Sequence, residues 1–273
     1  MAARAGLPMY DLAEVRSATG AWWRGLARAF RAEGLEDVPL RLSQAGPPDR
    51  LWQAGDLLFA QTCGYPLMHG LATTVRLVAT PCYAAAGCRG PEYCSLILVR
   101  EDEQAAGLAA LRGRTVVING PDSHSGCNAL RALVAPLADD GRFFRRVIVS
   151  GSHLESLRAL STGAADVAAI DCVLHALLAR HRPSALAGLR TLMRSPRAPG
   201  LPYVTSARRP LDTVRRLRAG LRRALADPAL AACRSDLLIE GAGVLALRDY
   251  GVIADLKRSA RELGYDELTR PCG

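Results

Sequence analysis

The sequence predicts an α/β fold in two lobes, each a mainly parallel sheet flanked by helices and joined by two hinge strands. Three observations carry the prediction. Short apolar runs alternate with longer helical stretches along the chain, the mark of α/β proteins with largely parallel sheets. Two segments punctuate it: the apolar run Tyr93–Val99 and the proline-rich stretch Ser195–Thr205. The length, 273 residues, suffices for two lobes of ordinary size. A chain that crosses twice leaves one lobe, builds a second and returns. The first lobe is therefore expected to comprise residues 1–96 and 201–273, and the second 97–200, with hinges near 93–99 and 195–205.

The elements follow in order. Leu7–Asp11 reads as a first strand, and Leu12 to about Glu33 as an amphipathic helix carrying Trp22, Trp23, Leu26 and Phe30. Val38–Leu42 reads as a strand, Pro47–Gln53 as a short helix and Asp56–Gln61 as a buried strand running into Thr62-Cys-Gly-Tyr-Pro. Val75–Thr80 and Tyr93–Val99 are strands, Asp102–Leu111 a helix and Thr115–Asn119 a strand. Cys127–Ala138 is a helix and Arg146–Ser150 a strand. A helix from Leu154 to Ser161 ends at Gly163 in the usual C-terminal manner. Val167–Asp171 is a strand, followed by a helix to about Arg180, and Leu189–Arg194 is a strand. From about Pro210 the remainder is expected to be mostly helical.

Composition excludes several classes. Hydrophobic residues make up 49% and charged residues 22%, so a sizeable core can form and the composition argues against disorder. The formal net charge is +9, and Lys257 is the only lysine. Few aromatics accompany the arginines, which argues for a solvated basic surface over nucleic-acid binding. The seven arginines at 208, 209, 215, 216, 218, 222 and 223 spread round a helix and fit the same reading. No run of 18 or more apolar residues exists, so no membrane insertion is expected. The start, MAARAGLP, has no hydrophobic signal core, so the chain as written is expected in the cytoplasm. The eight cysteines form no CxxC pair and no zinc spacing, so no metal is expected. They read as free thiols, with a Cys82–Cys88 loop disulfide as the oxidised alternative.

Three turns carry candidate chemistry. In TVVINGPDSHSG, Ser123, His124, Ser125 and Gly126 arrive where a strand ends and a helix opens. The first amides of a helix lack partners within it and carry partial positive charge, so the turn is an oxyanion cradle. An ordinary serine cap is the alternative. RVIVSGSH repeats the geometry and places His153 to donate to the same anion, or simply to begin a helix. In DVAAID, Asp171 ends a strand and either faces the cleft or caps the next helix.

Together with the return segment SPRAPGLPYVTS, these motifs resemble the phosphonate, phosphite and phosphate substrate-binding proteins of ABC transporters, the PhnD-like proteins. The resemblance runs from about Leu7 to Thr205. It implies a type II periplasmic-binding-protein fold whose lobes close by a hinge over a small oxyanion, with no chemistry performed and no cofactor. By position it implies a cradle of Ser123, His124, Ser125 and Gly126, completed by His153. It also implies a tyrosine over the anion at Tyr10, first-lobe contacts from Gln61, Thr62 and Tyr65, a tyrosine at Tyr93, and Asp171 reading the far end of the ligand. His124 stands where the family more often has threonine, which adds a titratable donor. An ABC permease is the implied partner, and periplasmic placement follows if the true start lies upstream.

Two rivals are weaker. A hydrolase using Ser and His would need a nucleophile elbow, yet no G-x-S-x-G surrounds Ser123 or Ser125, and no HExxH or Walker loop appears. A cytoplasmic sensing or regulatory relative would need a partner to act on DNA, since no helix-turn-helix precedes Leu7.

Overall fold

The computed structural model describes residues 3–43 and 46–268. The chain divides into two compact units. The first holds the chain up to Ala84, then Arg89–Glu92 and Pro199–Tyr250; the second holds Ala85–Cys88, Tyr93–Ala198 and the chain from Gly251 onward. This differs from the expected division mainly at the C-terminus. The helix Gly251–Glu262 lies with the second unit, where Ala260 joins the core and the Ile253 carbonyl accepts a hydrogen bond from Asn128.

The first unit is built on a five-stranded sheet. Its strands are β1 (Arg4–Gly6), β2 (Leu57–Gln61), β3 (Val75–Tyr83), β11 (Tyr203–Ser206) and β12 (Ile239–Gly243), in the order β1-β2-β11-β3-β12. All five residues of β2 are buried, as its unbroken apolar run requires. Over it lie Trp23 and Phe30 from the helix Arg16–Ala32, packed round Phe59 together with Tyr203. The helix Leu211–Ala226 packs on Arg16–Ala32, and Gly220 marks the close approach: a Cβ there would stand 2.6 Å from Phe30 Cδ1 and 3.1 Å from the Ala29 carbonyl carbon.

The second unit has the order β7-β6-β8-β5-β9, from β5 (Ser95–Arg100), β6 (Thr115–Ile118), β7 (Arg146–Val149), β8 (Val167–Asp171) and β9 (Leu189–Arg194). Ile97, Val116, Ile118, Val167 and Ala169 from the sheet pack with Leu130 and Val134 from the helix Ala129–Val134. The remaining strands, β4 (Glu92–Tyr93) and β10 (Ala198–Pro199), pair with each other where the chain passes from one unit to the other and back.

Mainly parallel sheets hold for strand direction but not for pairing. β6 pairs parallel with β7 and with β8, while β5 pairs antiparallel with β8 and with β9. In the first unit β1 and β2 pair parallel, and the returning β11 is antiparallel to both β2 and β3. β12 is antiparallel to β3 as well, so each sheet is mixed.

Several expected elements differ. The first strand is Arg4–Gly6 rather than Leu7–Asp11, because Pro8 lacks the N–H a ladder needs. Val38–Leu42 is not a strand: Pro39 interrupts it, and the Val38 carbonyl instead accepts from Arg31. Asp102–Leu111 shrinks to a single turn, Leu108–Leu111, since Arg190 takes the Glu103 and Ala105 carbonyls. β12 emerges from a stretch expected to be helical. The C-terminal arginines are not simply solvated: Arg209 donates to the Leu57 carbonyl, Arg216 to the Gly34 carbonyl at the end of a helix, and Arg218 to Val78.

Candidate functional site

β6, β7 and β8 run in one direction, so their carboxyl ends share one edge of the second unit's sheet. Ligands in α/β proteins favour that edge. The turns after these strands hold Ser123–Gly126, Ser150–His153 and Asp171; Ser95, opposite Asp171 in the pairing of β5 with β8, brings Tyr93 to the same edge.

The first turn is tightly specified. Ser123 precedes a wide turn closed by Asn128 N–H on the Ser123 carbonyl at 3.0 Å, and the Ser123 hydroxyl accepts from Gly126 N–H at 3.0 Å. Ser123 is thus a cap for its own turn, and its lone pairs are partly committed. The N–H groups of His124 and Ser125 lie ahead of the first intrahelical bond.

The second turn closes on the first. Ser152 caps the helix His153–Ser161 by accepting from Glu155 N–H at 3.2 Å, which sets His153 as the first helical residue. His153 Nε2 then lies 3.0 Å from Ser125 Oγ. Gly126 sits between the two turns. A Cβ there would fall 1.7 Å from Asn119 Oδ1 and 3.0 Å from His153 Cε1, so a side chain would have to displace the Asn119 amide and press on the His153 ring. Asn119 Oδ1 and His153 Nδ1 are enclosed and meet no hydrogen-bond partner among the described residues. Sequence reasoning passed over Asn119; its place at the end of TVVIN was the available signal.

His124 corrects one expectation. It is buried, and burial, with the positive charge of Arg131 second, pushes its pKa down to about 4. It is a neutral ring at physiological pH, not a group that titrates there. Asn128 orders it: one amide hydrogen goes to the Ile253 carbonyl at 2.9 Å, the other to His124 Nδ1 at 3.1 Å, while Asn128 Oδ1 accepts from the buried Arg131. Since the Arg131 guanidinium can only donate, Asn128 is oriented unambiguously. His124 Nδ1 is therefore the acceptor and Nε2 carries the proton. The Tyr93 ring stands 6.0 Å from the His124 ring. Burial lowers His153 as well, to about 4.

Asp171 is buried, and its Oδ1 accepts from Val173 and Leu174 N–H at 2.7 and 3.1 Å, capping the helix Cys172–His181. Capping accounts for that oxygen.

In the first unit, Gln61 ends β2, and its amide donates to Tyr83 Oη at 2.9 Å and to the Leu201 carbonyl at 3.1 Å. Both its hydrogens are spent, which leaves only its carbonyl oxygen as an acceptor. Tyr10 lies in the turn after β1, edge-on to Tyr83 at 5.5 Å. Tyr83, missed by sequence reasoning because it ends a strand expected to stop at Thr80, links the two. Thr62 is fully buried, its Oγ1 without a hydrogen-bond partner among the described residues, and Tyr65 stacks on His69 at 4.0 Å. The structure thus joins Tyr10 to Gln61 through Tyr83 in one unit, and Ser123–Gly126 to His153 in the other.

The family model of the ABC-transporter phosphonate periplasmic substrate-binding proteins matches residues 53–244. The chain belongs to that family. Its members are periplasmic substrate-binding components of transporters, so the expectation of cytoplasmic placement finds no support there, and the periplasmic alternative does. A search of curated proteins found no match. Among solved structures, a binding-protein component of an ABC phosphonate transporter from Pseudomonas aeruginosa superposes with a TM-score of 0.77 at 18% identity, covering 96% of this chain and 87% of that one. PhnD1 of Prochlorococcus marinus, in complex with methylphosphonate, gives 0.73 at 12% identity, covering 95% and 98%. A Xanthomonas citri protein bound to chloride gives 0.72 at 15%, covering 96% and 98%. These likenesses establish the periplasmic-binding-protein fold. Among the described residues no helix is long and apolar enough to cross a membrane.

Proposed function

We propose that this phosphonate-family protein binds a small oxyanion of the phosphonate, phosphite or phosphate class at the strand-end turns of its second unit, performs no reaction on it, and delivers it to an ABC permease. The observation that carries the reading is the meeting of Ser125 and His153 at 3.0 Å beside the opening of the Ser123–Gly126 turn. Two hydroxyls, a His124 Nε2–H and the leading amides of the turn are all donors or dipoles of one sign, and an anion's oxygens accept from all of them. Neutral histidines make this a cradle of dipoles rather than of formal charge, suited to an anion of either ionisation state. Tyr93 and Asp171 are the further second-unit contacts; Tyr10, Gln61, Thr62 and Tyr65 are the first-unit contacts.

The hydrolase alternative would ask more of the same residues. A serine nucleophile needs a histidine base oriented by a third group. His153 Nδ1 meets no such group among the described residues.

The test is thermal melting with methylphosphonate, aminoethylphosphonate, phosphite, phosphate and sulfate. A ligand at a hundred times its Kd adds about 2.7 kcal/mol. We expect at least one phosphorus oxyanion to raise the midpoint, and Ser125→Ala and His153→Gln to abolish the rise while still melting cooperatively. No rise with any of these anions sinks the reading.

A further inference from the structure

Three thiols from two distant parts of the sequence, Cys88 and Cys94 on one side and Cys172 on the other, meet in the second unit. Cys88 Sγ lies 3.7 Å from Cys172 Sγ, across 84 residues of chain. The backbone N–H of Cys94 points at Cys172 Sγ from 3.5 Å. Gly87, at φ +113°, lets the sulfurs crowd together: a Cβ there would stand 2.6 Å from Cys94 Sγ and 3.3 Å from Cys172 Sγ. Arg197 Nε donates to the Gly87 carbonyl at 3.0 Å and pins the loop in place. Cys88 is half-buried, whereas Cys94 and Cys172 are buried. Hydrogen bonding among the thiols, together with burial, holds Cys94 and Cys172 above the usual thiol range. Among the described residues no group of three His, Cys, Asp or Glu side chains is arranged to hold a metal.

We propose that Cys88 and Cys172 are an oxidisable pair that closes into a disulfide, with Cys94 left reduced beside it. Cys88 is the thiol a reagent reaches first. Its thiolate attacks one sulfur of a disulfide oxidant, RSSR, forming a mixed disulfide and expelling RS⁻. Cys172, having lost its proton, then attacks the Cys88 sulfur and expels the second RS⁻. Two cysteine thiols are oxidised, RSSR is reduced to two RSH, and the two cysteine protons end on the two leaving thiolates. The sulfurs need to approach from 3.7 Å to about 2 Å, a side-chain movement rather than a refolding. The bond fastens the loop at Ala85–Cys88, which sits with the second unit between first-unit neighbours, to the residue after Asp171. It also replaces the Cys82–Cys88 pairing suggested by sequence spacing. The family's periplasmic setting supplies oxidants of this class.

The experiment treats the whole reduced protein with excess glutathione disulfide, quenches with an alkylating reagent under denaturing conditions, and maps the peptides. We expect the thiol count to fall from eight to six, with Cys88 joined to Cys172. The oxidised midpoint should lie several degrees higher and revert on reduction, as closing a long loop restricts the unfolded chain. Cys88→Ala, at a half-buried position, should keep its seven remaining thiols, while Cys82→Ser should still form the bond. A count that stays at eight, a glutathione adduct that persists on Cys88, or a bond mapped to Cys94–Cys172 or Cys82–Cys88 would overturn the proposal. Peptide mapping of the natural sequence decides between these outcomes even if a variant fails to fold.

Discussion

Gly126 is the residue on which the two site turns depend. Any side chain there meets Asn119 Oδ1 at 1.7 Å and the His153 ring at 3.0 Å. Gly126→Ala should therefore cost about 1–3 kcal/mol through overpacking, and it should weaken anion binding beyond that by parting Ser125 from His153. Urea unfolding and ligand melts on the same variant separate the two effects. His124 makes a second prediction. Its folded pKa, about 4, lies below its ordinary 6.5, so between those values the unfolded chain binds the extra proton and the folded one does not. Stability is whole above about pH 6.5 and is lost as pH falls toward 4, by up to about 3 kcal/mol for this group. His124→Gln should flatten that part of the curve in a pH series of melts; an unchanged slope would place the acid sensitivity elsewhere. Ser123–Gly126 and His153 were legible in sequence because small polar residues stood at strand–helix turns. The neutrality of His124 was not, because Asn128, Arg131 and the Ile253 carbonyl surround it only after folding.

Asp171 shows what an element asks of its first residue. The helix Cys172–His181 begins with orphan amides, and Asp171 Oδ1 satisfies two of them. Asp171→Ala should cost about 0.5–2 kcal/mol, whereas Asp171→Asn, which keeps an acceptor, should cost less. If the Asn variant melts near the natural protein yet loses its anion-induced shift, the carboxylate also reads the ligand. If both are retained, the carboxylate does not read the ligand. Strands made of continuous apolar residues, β2, β5, β6 and β8, were visible in sequence because burial on both faces writes itself into composition. β12, with the sequence IEGAG, was not: glycine disfavours strands, and only pairing with Thr80–Tyr83 of β3 holds it extended.

At the scale of the whole molecule, a net charge of +9 accompanies the proposed cradle, whose histidines are neutral. Surface charge steers encounter and is screened by salt, whereas contacts among buried dipoles are screened far less. The association rate for a phosphorus oxyanion should fall markedly from low to high ionic strength, while the dissociation rate changes little. Rapid-mixing measurements across a salt series decide this, and a salt-driven rise in dissociation would point to a formally charged contact instead. Much of the arginine is also structural. Arg209, Arg216 and Arg218 bind backbone carbonyls of the first unit, which accounts for charge that composition assigned to solvent.

By itself the sequence determined the α/β class and the small polar turns at strand ends that are proposed to hold an anion, because apolar runs, prolines and small polar residues act locally on the backbone. Tertiary structure alone decided that the helix Gly251–Glu262 joins the second unit, that Ser125 meets His153 and that Cys88 meets Cys172. Those outcomes join segments 28 and 84 residues apart, or a chain end to a distant core. The order in which strands pair fixes them, and no local pattern encodes that order.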